Sequence, residues 1–274
     1  YNMEMSPVHP PMNRSPLSRA CRHSQVMSEI RKFFVNGGYQ EVTTPILSTS
    51  LLPEPAIEVF STQLHQSGVE TTAGCITPLF LSPSPERHMR RLIALNSGPI
   101  FQIAPAFRNG AELDRTHSPE FTMLEWYTPE ADYLTEVDRL ERLFSILPAE
   151  VSLPVPFDRI TAREAVLQAS KIDLDDVEDL SHFFQVAKSA GVHTSDDDTW
   201  EQIFNRIWLT FVEPDLPSDR GTIVYEYPLH VPTFAQQIEG TSYCRRWELY
   251  ARGIEIANCF QEETNADRFA AMIS

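Results

Sequence analysis

The chain has 274 residues, 42% of them hydrophobic and 22% charged, which is enough to bury the core of one large domain or two small ones. Its 22 Lys and Arg stand against 38 Asp and Glu, a net charge of −16, and this balance speaks against a wide grip on a nucleic-acid backbone. No run approaches the ~20 apolar residues of a bilayer span, the polar start YNMEMSPVHPPMNRSPLSRA lacks the apolar stretch of a secretory signal, and Cys21, Cys75, Cys244 and Cys259 lack metal-site or disulfide-framework spacing. A reduced, cytoplasmic protein with no membrane association is expected.

In chain order, residues 1–20 read as a loose leader and residues 21–274 as one domain. Ser24 is placed to cap a helix whose Val26, Ile30, Phe33 and Phe34 share one face, with Gly37-Gly38 ending it. YQEVTTPILSTS follows as an extended segment, and residues 52–75 hold short strand candidates. PERHMRRLIAL reads as a helix. GPIFQIAPAFRN and PEFTMLEWY read as two strands joined by the polar loop GAELDRTHS, an antiparallel pair. Thr135 is placed to cap a helix with Val137, Leu140, Leu143, Phe144 and Leu147 on one stripe. Residues 148–220 read as a helical insertion, built from TAREAVLQAS, LSHFFQVAKSAG and TWEQIFNRIWLTFV. Strand character returns in TIVYEYP, RRWELYAR and GIEIANCF. Strands bracketing a helical block indicate an α+β fold with an antiparallel sheet flanked by helices. There is no glycine-rich phosphate loop, so a nucleotide would have to be held by side chains and sheet.

The strand PEFTMLEWY carries the most chemistry. A period of two puts Phe121, Met123, Glu125 and Tyr127 on one face. Phe121 and Glu125 are then roughly 13 Å apart, a span suited to a long ligand with an aromatic head and an ammonium tail. Two readings stand at this point: Glu125 meets a cation in a site, or it lies on an edge strand in water. Arg108 ends the facing strand, either as a bidentate clamp for phosphate or carboxylate or as a surface ion pair. Glu248, Glu255 and Glu262 recur at sevens, and carboxylates on neighbouring strands can share a divalent ion that carries phosphates. Strict alternation sets Glu255 on the face opposite Asn258 and Glu262, so a bulge near Ala257 is required if all three serve one site. His117 lies in the loop beside Arg115, where closure over phosphates is possible, while the lone His88 reads as structural. RHMRR (87–91) is either a local basic patch or a solvated helix face.

FRN, the polar loop and HSPEFTMLEWY resemble the second motif of class II aminoacyl-tRNA synthetases of the lysyl branch. EVTTPIL, with Pro45, resembles the first motif, and SPERHMRR and GIEIANCFQE resemble further lysyl-type segments, so the likeness spans about residues 20–265. It is closest to the compact lysyl-type paralogues that lack the anticodon-binding barrel and modify a lysine of translation elongation factor P. This resemblance implies ATP-dependent activation of lysine or β-lysine as an adenylate, with elongation factor P and not tRNA as acceptor, in a homodimer. It implies that Glu86, in Ser84-Pro85-Glu86, holds the substrate's α- or β-amino group. Glu125, Tyr127 and Glu262 would surround the side-chain ammonium, and Asn258 would orient the carboxylate. Arg108 would bridge that carboxylate and the ATP α-phosphate as the catalytic residue. Phe121 would stack on adenine and His117 reach the outer phosphates, with Asn109, Gly110, Glu112, Ser118, Glu255 and Ile256 completing the ATP site. Glu248 and Glu255 would hold Mg2+.

The chain also departs from the pattern. Gly110 stands where the family has Glu after Arg-Asn, with Glu112 two residues on as a possible substitute. Ser118 replaces an asparagine, and Cys259 replaces a glycine. The third class motif is incomplete or missing. ADRFAAMIS resembles its tail, which would make Arg268 an ATP-site residue if a stretch of chain intervened between Asn265 and Ala266. Two other functions stay open: the core of a lysyl-tRNA synthetase, and a non-catalytic relative.

Overall fold

The computed structural model describes residues 16–50, 57–64, 77–110 and 118–272. Helix α1 (Pro16–Asn36) starts eight residues before the expected cap at Ser24 and takes up the end of the expected leader. Proline is well tolerated in a first helical turn, so the helix extends back to Pro16. Gly38, at φ +83°, turns the chain out of the helix into β1 (Gln40–Glu41) and β2 (Leu47–Ser48). Beyond them lie β3 (Ser61–Leu64), β4 (Thr77–Leu81) and α2 (Glu86–Ala94).

The expected antiparallel pair is present. β5 (Ile100–Phe107) faces β6 (Glu120–Tyr127) with Ile100 opposite Tyr127 and Phe107 opposite Glu120, and β1 joins β5 in parallel. Helix α3 (Tyr133–Ile146) is capped by Asp132, whose side chain accepts from Leu134 N at 2.9 Å; Thr135, the expected cap, lies inside the first turn. An aspartate at the preceding position satisfies the free N–H groups directly.

The block read as a helical insertion is not wholly helical. It opens with β7 (Asp158–Thr161), which pairs in parallel with β8 (Gly221–Pro228). Between them lie α4 (Ala162–Ser170), α5 (Leu180–Ser189), α6 (Trp200–Ile207), a π turn over Trp208–Val212 and the short α7 (Glu213–Asp215). β9 (Tyr243–Ala251) and β10 (Ile254–Phe260) complete the sheet order β10-β9-β8-β7. The last helix, α8 (Ala266–Met272), is capped by Asn265, whose side chain accepts from the N–H groups of Asp267 and Arg268 at 3.0 Å each.

Two apolar cores fix these layers. One joins α1, β5, α3, β8 and β9 through Phe34, Phe101, Val137, Leu140, Ile223, Trp247 and Leu249. Leu124 and Trp126, the inward residues of β6, pack on it, with the Trp126 ring 5.4 Å from that of Phe34. The other core lies between α4, α5, α6 and β8, with Phe183, Trp200, Phe204 and Trp208 at its centre. Packing one face of β6 on the first core commits the alternate residues Phe121, Glu125 and Tyr127 to the other face.

Candidate active site

α2 packs on β6, so residues of the Ser84-Pro85-Glu86 turn meet the outward face of that strand. Pro85 is buried, and the Glu86 N–H is capped by Ser84 Oγ at 3.0 Å, which fixes the turn that starts the helix. β10 delivers the third component. Beyond its end, Glu262 pairs with Ala235, and the Gln236 N–H donates to Gln261 O at 2.8 Å. The Glu263 N–H donates to Phe234 O at 2.9 Å, so the chain either side of Glu262 is held by its neighbour.

Glu86, Glu125 and Glu262 therefore converge. Arg90, one turn after Glu86, bridges two of them: its Nη2 is 2.6 Å from Glu86 Oε1 and 2.8 Å from Glu262 Oε2, and its Nε donates to Glu262 Oε1 at 3.0 Å. The guanidinium also stacks toward Phe234, 4.8 Å from its ring centre, with Phe260 and Phe269 within 6 Å. Tyr127 hydrogen-bonds both Glu262 and Arg90. The Ser84 hydroxyl donates to Glu125.

One guanidinium among three carboxylates leaves the cluster short of positive charge. Burial pushes Glu125 up to about 8, and the negative charges of Glu86 and Glu262 push the same way against Arg90. Glu262 is pushed up to about 7, again by burial first; Arg90 opposes this and Glu86 adds to it. Cys259, where the related pattern has glycine, lies near this cluster. Burial raises its thiol well above the ordinary range, and Glu136, Glu125 and Glu262 add to the effect.

A second cluster lies toward the other end of the same strands. Arg108 sits over the Phe121 ring at 5.4 Å, and its Nε is buried with no hydrogen-bond partner. Such an orphaned donor suits an anionic ligand oxygen. Arg108 also acts on Glu255 of β10, a carboxylate in a recess still open to solvent. Desolvation in the recess and the neighbouring Glu248 push Glu255 up to about 7, against the pull of Arg246 and Arg108. The register of β10 on β9 shifts between Glu255 and Ala257, the irregularity required if Glu255, Asn258 and Glu262 are to serve one site. Ile256, within that shift, and Asn258, just after it, are exposed, and Asn258 stands opposite Glu248.

Glu248 has a different environment from Glu255. It is buried and accepts from Tyr227 Oη at 2.6 Å and Tyr250 Oη at 2.7 Å, with Arg246 on its other oxygen. Glu255, open to solvent, can take a divalent ion, although among the described residues no three His, Cys, Asp or Glu side chains gather to hold one. Glu248 has most of its lone pairs already engaged and would contribute less.

The remaining expected residues fall as follows. Ser118 and Asn109 are exposed near the start of β6 and the end of β5, and Asn109 pairs with Glu58. Gly110 has φ +69°. His117 and Glu112 lie outside the described residues. Arg268 belongs to α8, which Asn265 caps directly, and approaches Glu263 at 3.8 Å; it is docked through Phe269 on Phe234, rings 5.2 Å apart. Sequence reasoning missed Arg90 and its aromatic surround. The signal was the Glu86/Arg90 spacing of four inside a run that reads as uniformly basic.

Residues 12–274 match the family described as tRNA synthetases class II (D, K and N). A Klebsiella pneumoniae subsp. pneumoniae protein named elongation factor P–(R)-beta-lysine ligase is 35% identical over 270 residues, covering 92% of this chain and 75% of that one. The Sodalis glossinidius protein of the same name is 33% identical over 256 residues with the same coverages. That of Salmonella typhi is 34% identical over 267 residues, covering 89% of this chain and 73% of its own. On this match the chain belongs to the class II tRNA synthetase family, in its D, K and N group.

Proposed function

We propose that this protein is an ATP-dependent ligase that activates lysine or β-lysine as an adenylate and transfers the acyl group to a lysine side chain of elongation factor P. The observation that carries the reading is the convergence of Glu86, Glu125 and Glu262 around a single guanidinium, with Glu125 on the strand that also carries Phe121 beneath Arg108. Three carboxylates against one Arg can accept two further positive charges, the number on a diamine.

In this assignment Glu86 holds the α- or β-ammonium, and Glu125, Tyr127 and Glu262 hold the distal one. The substrate carboxylate, oriented by Asn258, then attacks the α-phosphorus of ATP. A carboxylate–phosphorus bond forms, the bond to the bridging oxygen breaks, and pyrophosphate leaves. Arg108 stabilises the charge that grows on the α-phosphate and positions the attacking carboxylate. Phe121 stacks on the base, with Asn109, Gly110, Ser118 and Ile256 around the nucleotide and His117 and Glu112 serving it from the adjoining loop. Magnesium, held by Glu255 with Glu248 in support, would neutralise phosphate charge. In the second step the acceptor amine attacks the acyl carbon, AMP leaves and the amine loses a proton.

The acidic balance of the chain favours a protein acceptor over tRNA. Ile46 and Leu47, exposed beside Pro45, support dimerisation through the first-motif segment. Among the described residues no helix is long and apolar enough to cross a membrane, and the site chemistry belongs with cytoplasmic translation.

Pyrophosphate exchange with a panel of amino acids tests the first step, and acylation assays offering elongation factor P or tRNA-Lys test the second. Lysine- or β-lysine-dependent exchange followed by labelling of the protein acceptor is expected. Labelling of tRNA would favour a lysyl-tRNA synthetase core, and exchange with no amino acid would refute the ligase reading. Sedimentation at high concentration is expected to give a dimer.

A further inference from the structure

We propose that Arg90 is the positioning residue of the amine pocket: held in an aromatic enclosure, its guanidinium clamps Glu86 and Glu262 and stays in place when the diamine binds. This rests on the lysine-activating reading above and adds a residue to it.

Three sets of contacts fix the guanidinium. On its own helix Arg90 lies one turn after Glu86, the spacing that brings two side chains together, and its Nη2 is 2.6 Å from Glu86 Oε1. Across the pocket, one edge of the planar group meets both oxygens of Glu262, with Nε at 3.0 Å and Nη2 at 2.8 Å. Such a two-point contact fixes a carboxylate in orientation as well as position. Around them stand rings from three segments: Phe234 between β8 and β9, Phe260 on β10 and Phe269 on α8. Their centres lie 4.8, 5.9 and 5.8 Å from the guanidinium carbon. Phe234 and Phe269 stack on each other, and Phe234 O accepts from the Glu263 N–H, so ring and carboxylate ride on paired backbone. The Arg90 side chain is left 16% exposed.

A substrate ammonium is a compact point charge and cannot reproduce the flat edge that meets Glu262 at two atoms. Arg90 therefore stays, and its charge acts on the groups that face it. These are Glu86 on α2, Glu125 and Tyr127 on β6, and Glu262 beyond β10. The Cys259 thiol of β10 is held protonated beside Glu125 and Glu262, and α8 contributes Phe269 while its Arg268 turns to Glu263. Arg90 eases the ionisation of Glu125 and Glu262. Without it three carboxylates would face one another with no fixed cation. They would keep their protons to higher pH, and lysine would have to displace those protons before binding.

The test follows the lysine KM and kcat in pyrophosphate exchange from about pH 6 to about pH 9, for wild type, Arg90→Met and Arg90→Lys. Arg90→Met is expected to raise the lysine KM by roughly 10- to 100-fold near neutral pH, with a smaller change in kcat, and the penalty should shrink as pH rises. Arg90→Lys, which returns the charge without the two-point edge, should recover the wild-type pH profile with an intermediate KM. ATP affinity, measured by calorimetry without amino acid, should hold in both variants. Should Arg90→Met fail to fold, Arg90→Gln, which drops the charge and keeps hydrogen-bonding capacity, takes its place with the same expectation. An unchanged or lowered KM on loss of the charge would overturn the assignment, by showing the guanidinium to be idle or a competitor of the substrate. An equal penalty at every pH in all variants would also overturn it, leaving a packing role alone. Lysine binding by calorimetry runs alongside. A wild type that binds lysine but supports no exchange would defeat the ligase reading, while the same comparison of variants in binding would still decide the role of Arg90.

Discussion

Glu248 on β9 accepts hydrogen bonds from Tyr227, Tyr250 and Arg246, and Trp208 Nε1 in turn donates to Tyr250 Oη at 3.0 Å. Glu125 on β6 faces Glu86 and Glu262 instead, with Ser84 as its hydrogen-bonding neighbour. Glu248 is thus supplied with three donors from its own fold, whereas Glu125 has the Ser84 hydroxyl and two neighbouring carboxylates. A buried charge with matched donors holds elements together, whereas one facing like charges is held ready for a cation that arrives with a ligand. On the proposed reading the first region is scaffold behind the nucleotide end, and the second is the recognition surface for an amine.

The largest effect is expected between the two regions, at Arg108. Arg108→Ala should lower lysine-dependent pyrophosphate exchange by about 100- to 1000-fold, the usual cost of removing a group that stabilises transition-state charge. Exchange at the wild-type rate would remove Arg108 from the mechanism. Next, Glu125→Gln should raise the lysine KM by roughly 10- to 100-fold, while making the ligand-free protein more resistant to urea above about pH 8, where the fold opposes ionisation of the carboxyl it replaces. Glu248→Gln should do the opposite to stability. Disrupting its donors should cost about 1–3 kcal/mol in denaturant titrations. Equal stability changes of the same sign in the two variants would erase the distinction between the regions.

A smaller and graded effect is expected with pH. The folded state holds the Glu125 proton up to about 8, against an ordinary value of 4.5, so the folded protein binds more protons than the unfolded one across that window. Ligand-free stability should therefore fall as pH rises from near 4.5 toward 8, and Glu262 should contribute up to about 7. Lysine should restore more stability at pH 8 than at pH 6, since its ammonium favours the ionised carboxylates. Thermal melts with and without lysine across this range measure both slopes, and Glu125→Gln should flatten them.

Much of the second region was legible in the sequence. The alternation in PEFTMLEWY put Phe121, Glu125 and Tyr127 on one face, and the structure confirms it because Leu124 and Trp126 are taken by the core. A bulge or strand end near Ala257 was expected only on the condition that Glu255, Asn258 and Glu262 serve one site, and the register does shift there. Arg90 was not legible: in RHMRR each Arg reads alike, and only the tertiary position of Glu262 selects Arg90 while Arg87 turns to Ser48 and Ser50. β7 was hidden because Asp158 and Arg159 are exposed and carry no apolar alternation. The donors around Glu248 come from β8 and β9, and their meeting depends on strand register that no local pattern encodes.

Discrimination between lysine and norleucine, which shares its carbon chain but ends in a methyl group, tests the central claim most directly. If the carboxylates of α2, β6 and the β10 end read a distal ammonium, pyrophosphate exchange should favour lysine in kcat/KM by on the order of 1000-fold or more, and Glu125→Gln should narrow that ratio. Norleucine activated within a few-fold of lysine would contradict it.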